Sequence, residues 1–226
     1  MAVRALLFDV FGTLVDWRGG IAAAFAESGL PGDPAQLADD WRARYRPILD
    51  EVNSGARPWA DFDELHRATL DALLADRGET LAIDRRDALV DAWHTLDPWP
   101  DVAGGLDALR ARFVTATLSN GHIALLVDLA RHGGLRFDCV LSAELVRRYK
   151  PSPEVYLEAA RLLALDPHEL MLVASHPWDL AGARAAGLRT ALVERPLEYG
   201  PGSPARADPQ ADATVAALHA LADLPA

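Results

Sequence analysis

Hydrophobic positions change period several times along this chain, and the changes divide it. Ala5-Leu6-Leu7-Phe8 is a continuous apolar run that stops at a carboxylate, Asp9. Such a run suits a strand buried on both faces of a parallel sheet. From residue 21 the period becomes helical, and segments 21–30, 34–52, 59–77 and 83–96 each read as helix. In the second, Leu37, Trp41, Tyr45 and Leu49 recur every four residues; in the third, Phe62, Leu65, Thr69, Leu70 and Leu73 share one side. Asp33 or Pro34 opens the second, and Ser54-Gly55 followed by Pro58 closes it. After Pro98-Trp99-Pro100 the pattern alternates: helix 102–111, strand 113–118, helix 123–132, strand 139–142, helix 153–163, strand 170–174, helix 180–186, strand 190–193. A looser Pro/Gly segment, 196–209, leads to a final helix at 213–221.

Strands separated by single helices imply βαβ units, hence a parallel sheet with helices on both faces. The expected fold is α/β with a helical insert after the first strand. Residues 1–16 plus 99–226 would form the main domain, and 17–98 the insert.

Composition narrows the function. The chain has 226 residues, half of them hydrophobic, and a formal net charge of −11. That balance argues against nucleic acid and anionic membrane surfaces as partners. The single cysteine, Cys139, lies in an apolar stretch and reads as a buried strand residue. No segment resembles a signal peptide or a membrane span, so the expected location is the cytoplasm.

Chemistry gathers at the predicted strand ends. The first ends in Asp9, the second in Ser119-Asn120, and the fourth in Ser175-His176-Pro177-Trp178-Asp179; Lys150-Pro151 follows the third. Strands of one parallel sheet share a direction, so these sets should meet above one edge, where such sheets bind ligands. Taken singly, Ser119, Asn120 and Asp179 read equally as helix caps, and Lys150 as a solvated lysine. Together they read as a site.

The order Asp9-Val10-Phe11-Gly12-Thr13, Ser119, Lys150, Asp179 resembles the haloacid dehalogenase superfamily along essentially the whole chain. That resemblance implies a Rossmann-like core carrying a helical cap. Phosphatases of the superfamily place an Asp two residues after the nucleophile, as proton donor and magnesium ligand. Here Phe11 stands there, and a departing halide needs no proton. The chain is therefore similar to the type II, L-2-haloacid dehalogenase branch. The expected reaction converts short L-2-haloalkanoic acids to D-2-hydroxy acids through an aspartyl ester, with no metal or cofactor. A magnesium-dependent phosphatase acting on a small phosphorylated metabolite is the alternative.

Within that reading Asp9 is the nucleophile, in a motif that includes Thr13, and Lys150 keeps it ionised. Asp179 is the base for ester hydrolysis, and Ser175 holds Lys150 or Asp179. Ser119 and backbone N–H groups would take the substrate carboxylate. The resemblance implies that Arg42 and Asn120 receive halide. Phe11, Phe62 and Trp178 would line a dry wall, with Trp17 and Trp59 as looser candidates. A solvated helix arginine remains the other reading of Arg42, and core packing that of Phe62 and Trp178. His176 stands where many such dehalogenases have Asn: it could orient Asp179, touch substrate or pack. The remaining histidines lack metal-ligand spacing and read as surface or helix-end residues, with His122, two residues after Asn120, a candidate to support the site from behind. The expected partner is a small halogenated carboxylate, and the branch implies a homodimer.

Overall fold

The computed structural model describes residues 2–223, so the expected domain ends at residues 1 and 226 lie outside it. Six parallel strands, β1 (Ala5–Phe8), β2 (Val114–Ser119), β3 (Cys139–Ser142), β4 (Leu170–Ala174), β5 (Arg189–Val193) and β6 (Ala213–Val215), lie in the order β3-β2-β1-β4-β5-β6. Ala5 is level with Val114 on one side and Leu170 on the other, and Phe8 with Thr117 and Val173. Asp9 therefore emerges between β2 and β4, where the winding reverses. Ligands of doubly wound sheets bind at that reversal.

Five helices stand between β1 and the next core helix: α1 (Trp17–Ser28), α2 (Pro34–Ala43), α3 (Tyr45–Ser54), α4 (Phe62–Arg77) and α5 (Ile83–Asp91). Four more, α6 (Val102–Arg110), α7 (Ile123–His132), α8 (Pro153–Leu163) and α9 (Pro177–Ala185), join the strands. Right-handed crossovers put α6 and α7 on one face of the sheet and α8 and α9 on the other. No helix among the described residues is long and apolar enough to cross a membrane.

Three expectations need correction. The helix predicted over 34–52 is two helices meeting at Arg44, because Pro47 has no N–H to give the Ala43 carbonyl and fits only a first turn. The final helix predicted at 213–221 is β6 followed by a 3-10 segment, Leu218–Asp223. Ala-rich composition imitated a helix there, whereas Val193 pairs with Val215 at the sheet edge and Leu218 packs against Gly105. Cys139 is half-buried rather than buried.

Side-chain clasps fasten the inserted helices to the sheet layer. Asn53 of α3 donates Nδ2–H to the Tyr149 carbonyl (2.9 Å) and accepts the Tyr149 N–H at Oδ1 (2.8 Å). The Tyr149 hydroxyl donates to the Ala60 carbonyl at 2.7 Å. On the other flank His94, in the 3-10 turn Ala92–Thr95, bridges Asp63 of α4 and Asp128 of α7. These contacts tie helices from the segment between β1 and α6 to the loops and helix that follow β2 and β3.

Candidate active site

The turn after β1 brings Thr13 back beneath Asp9. Leu14 N–H reaches the Val10 carbonyl (2.8 Å), and Gly12 takes φ +85°, a region that favours glycine. Space also demands glycine, since a Cβ at Gly12 would lie 2.2 Å from Oε1 of Glu198. Thr13 then donates its hydroxyl to Asp9 Oδ2 at 2.7 Å and accepts the Ser175 N–H at 2.9 Å.

Asp9 is buried, and its two oxygens are held unequally. Oδ2 receives both Thr13 and His176 Nδ1 (3.0 Å), whereas among the described residues Oδ1 has only Lys150 Nζ, at 3.4 Å. Burial alone would raise this carboxyl, but Lys150, His176 and Thr13 overcome it and hold Asp9 well below the usual carboxylate range. It is an anion at any physiological pH, with one oxygen tied and the other comparatively loose.

Lys150 is fully buried, and its Nζ donates to Asp179 Oδ2 at 2.7 Å. Burial pulls the ammonium down, yet Asp179 and Asp9 outweigh it and the group stays charged. Asp179, also fully buried, accepts the Tyr156 hydroxyl at Oδ1 (2.7 Å). Desolvation by burial raises its pKa despite Lys150. A carboxylate so raised is a stronger proton acceptor than an exposed one, and each oxygen keeps a further lone pair beyond the bond it accepts.

His176 joins Asp9 to a residue the sequence analysis overlooked. Its Nε2 lies 2.8 Å from Glu198 Oε1, and Glu198 also accepts from Trp17 Nε1 (3.2 Å) and Ser175 Oγ (3.2 Å) and pairs with Arg206 (3.3 Å). Burial would lower this imidazole, but Glu198 and Asp9 push it up to about 9. At neutral pH it is a cation between two anions, donating from both nitrogens.

The far wall is aromatic. Phe11 stacks on Phe62 (5.5 Å) and meets Trp93 edge-on (5.7 Å). Arg42 lies with its guanidinium 3.9 Å over the Tyr45 ring and 5.2 Å from Trp17. Arg42 Nη1, Trp93 Nε1 and both ring nitrogens of His66 are buried without hydrogen-bond partners among the described residues, and the three residues line one small cavity. Burial, with Arg42 and two other histidines, drives the His66 pKa well down, leaving a neutral ring. A groove of about 420 Å³ lined by Trp17, Arg42, Tyr45, His176 and Trp178 opens from this region.

Asp9, Thr13, Lys150, Ser175, His176 and Asp179 thus lie in one hydrogen-bonded cluster, and Phe11, Phe62 and Arg42 lie along the aromatic wall. Asn120 spans the two layers: its Oδ1 accepts the Lys150 N–H and its Nδ2 donates to the Tyr45 hydroxyl, both at 2.8 Å. Ser119 is buried, its Oγ accepting the Gly121 N–H at 3.1 Å. Trp178 is half-buried at the groove, facing Arg46 (5.0 Å).

Two expectations fail. Ser175 holds Thr13 and Glu198, not Lys150 or Asp179, because its hydroxyl faces the turn after β1. His66 is neither surface nor helix-end: it stacks on Trp93 at 4.1 Å inside the inserted helices. Tyr45, Tyr156 and Glu198 were missed. Tyr45 passed for one more apolar position on a helix, and Glu198 lies in a segment with no periodicity.

A family model for haloacid dehalogenase-like hydrolases matches residues 3–187. Among curated proteins, (S)-2-haloacid dehalogenase 1 of Pseudomonas sp. (strain CBS-3) is 36% identical over 203 residues, 87% of this chain and 88% of its own length. Two solved structures superimpose closely. One is an L-2-haloacid dehalogenase (46% identical, TM-score 0.92, covering 98% of this chain and 97% of that one). The other is a defluorinating L-2-haloacid dehalogenase (42% identical, TM-score 0.93, covering 97% and 94%).

Proposed function

The chain belongs to the haloacid dehalogenase-like hydrolase family, and from that premise we propose how its site works and which residues do it. The enzyme is an (S)-2-haloacid dehalogenase, a hydrolase acting on carbon–halide bonds. The observation that carries the mechanism is the asymmetry at Asp9, one oxygen tied by two donors and one nearly free, with Phe11 where a proton donor to the leaving group would stand.

Oδ1 attacks the halogen-bearing carbon from behind, and the halide departs with the bonding pair. The product is an ester on Asp9, formed with inversion. Lys150 keeps the attacking carboxylate charged, and the Ser119 hydroxyl with nearby backbone N–H groups holds the substrate carboxylate. Oδ2 is then the ester carbonyl oxygen. Water adds at Asp9 Cγ, Asp179 takes its proton, and the negative charge that builds on Oδ2 meets Thr13 O–H and protonated His176. Donors already aimed at a developing oxyanion cost no reorganisation. As the intermediate collapses, the departing alkoxide takes back the proton held on Asp179 and leaves as the D-2-hydroxy acid, and the remaining proton of the water passes from Asp9 to solvent, restoring the carboxylate. In this reading residues 17–98 act as a cap that closes the site from water.

Chloride release from (S)- but not (R)-2-chloropropionate, undiminished by EDTA, tests the assignment. Silence on that substrate together with magnesium-dependent hydrolysis of p-nitrophenyl phosphate would reverse it. His176 should be needed in its charged form, so activity should fall as pH rises through about 9. Its raised pKa also means that the stability it contributes is complete below its ordinary value near 6.5 and lost through about 9. Glu198→Gln removes the anion that supports the charge. The alkaline limb of the kcat profile should then move toward neutrality, and an unmoved limb would count against this role.

The halide end has donors to spare. Arg42 Nη1 and Trp93 Nε1 face a cavity too small for a large guest, and such hydrogen-bond density favours a small, hard anion. Fluoroacetate should therefore release fluoride. Arg42→Leu should lower kcat/KM on all haloacids by roughly 100-fold, in line with loss of one donor to a developing anion. Trp93→Phe should penalise fluoride release more than chloride release; equal losses would contradict a fluoride-fitted cradle.

A further inference from the structure

Away from Asp9, two imidazoles and a carboxylate meet where the inserted helices touch the sheet layer. Asp63 stands in the first turn of α4, His94 in the 3-10 turn after α5, and His122 at the N-cap of α7. One donor atom from each lies within 4.8 Å of the others. His122 is only 8% exposed, its Nδ1 has no hydrogen-bond partner, and its Nε2 reaches no closer than 3.6 Å to Asp63. A buried imidazole left so poorly satisfied needs a reason, and an ion is one such reason.

We propose that Asp63, His94 and His122 bind a zinc-type divalent transition ion that staples the inserted helices to the sheet layer. Two imidazole nitrogens and one carboxylate oxygen suit zinc, nickel or copper, whereas magnesium and calcium want oxygen throughout. Tetrahedral bonds of about 2.0–2.2 Å place donors roughly 3.3–3.6 Å apart, so small side-chain rotations complete the set. The outer partner is already present: Asp128 lies 2.8 Å from His94 Nδ1, the ring nitrogen turned away from Asp63. A carboxylate behind a metal-ligating histidine fixes the ring and raises its basicity. Three protein ligands leave one position for water. The trio shares no residue with the nucleophile, and Phe62, Trp93 and Asn120 are sequence neighbours of the three ligands, so a bound ion would stiffen the wall of the substrate pocket.

The test uses untagged full-length enzyme stripped with chelator and dialysed. Titration with zinc chloride should show one ion per chain by calorimetry, and cobalt(II) should give the intense visible bands of a tetrahedral site. At a hundredfold excess over Kd the melting temperature should rise by about 5–10 °C. Asp63→Asn and His94→Gln should each weaken binding more than about 100-fold, and Asp128→Asn by about 10-fold. Asp9→Asn should bind zinc as the parent does. Variants that fold without metal, checked by circular dichroism, keep the comparison valid. Absence of binding, or binding unaffected by Asp63→Asn and His94→Gln, would overturn the site. Neither result bears on halide release, which the chelated enzyme should retain.

Discussion

Asp9→Asn should leave a folded protein that releases halide at least about 10⁴-fold more slowly than the parent. An amide oxygen is a poor nucleophile toward a saturated carbon, and its neighbours are ill suited to replace it: Lys150 has no lone pair while charged, and Asp179 is held by the Lys150 ammonium and the Tyr156 hydroxyl. The fold should survive because the remaining partners stay paired. Lys150 keeps Asp179 at 2.7 Å, and His176 keeps Glu198 at 2.8 Å. Asp9 has a depressed pKa, so its contribution to stability is present above about 4 and lost only in strong acid. At neutral pH the variant forfeits that term and sheds a desolvated charge, and the melting temperature should move by no more than about 5 °C. Halide release and melting, measured side by side, check both halves. Release within tenfold of the parent would mean that another group attacks.

The second large effect separates the two chemical steps. Asp179→Asn removes the proton acceptor for water but leaves the nucleophile, and Lys150 retains Asp9 at 3.4 Å. One equivalent of halide should appear in a burst, followed by turnover slowed by at least about 10³-fold. Mass spectrometry of the peptide containing Asp9 should then find a 1-carboxyalkyl group, the substrate less its halide, esterified to Asp9. A variant that turns over with no burst and no adduct would show that Asp179 only positions Lys150.

Much of this arrangement is legible in the sequence, for physical reasons that can be named. A strand buried on both faces cannot end in a bare carboxylate without a use for it, so Ala5 to Asp9 pointed to the carboxylate proposed as nucleophile. Parallel strands share a direction, so the strand ends carrying Ser119, Ser175 and Asp179, with Lys150 after the third, were expected on the same edge of the sheet. What escaped has no local signature. Glu198 belongs to an irregular segment after β5, and only the fold sets it beside Gly12 and His176. Pro47 marked a helix break that the four-residue spacing of Leu37, Trp41, Tyr45 and Leu49 concealed. The Ala-rich run after Val215 masked the β-branched Thr214 and Val215, and pairing with β5 at the sheet edge decided Ala213 to Val215 as strand. Asp63, His94 and His122 lie far apart in the chain, on three different elements, and no spacing rule links them.

A single turnover in water enriched in oxygen-18, with enzyme in excess over (S)-2-chloropropionate, probes the covalent step most directly. The hydroxy acid should carry ordinary oxygen taken from Asp9, and the Asp9 side chain should carry the heavy isotope afterwards. Heavy oxygen in the product of that first turnover, with Asp9 unlabelled, would mean that water attacks the substrate itself.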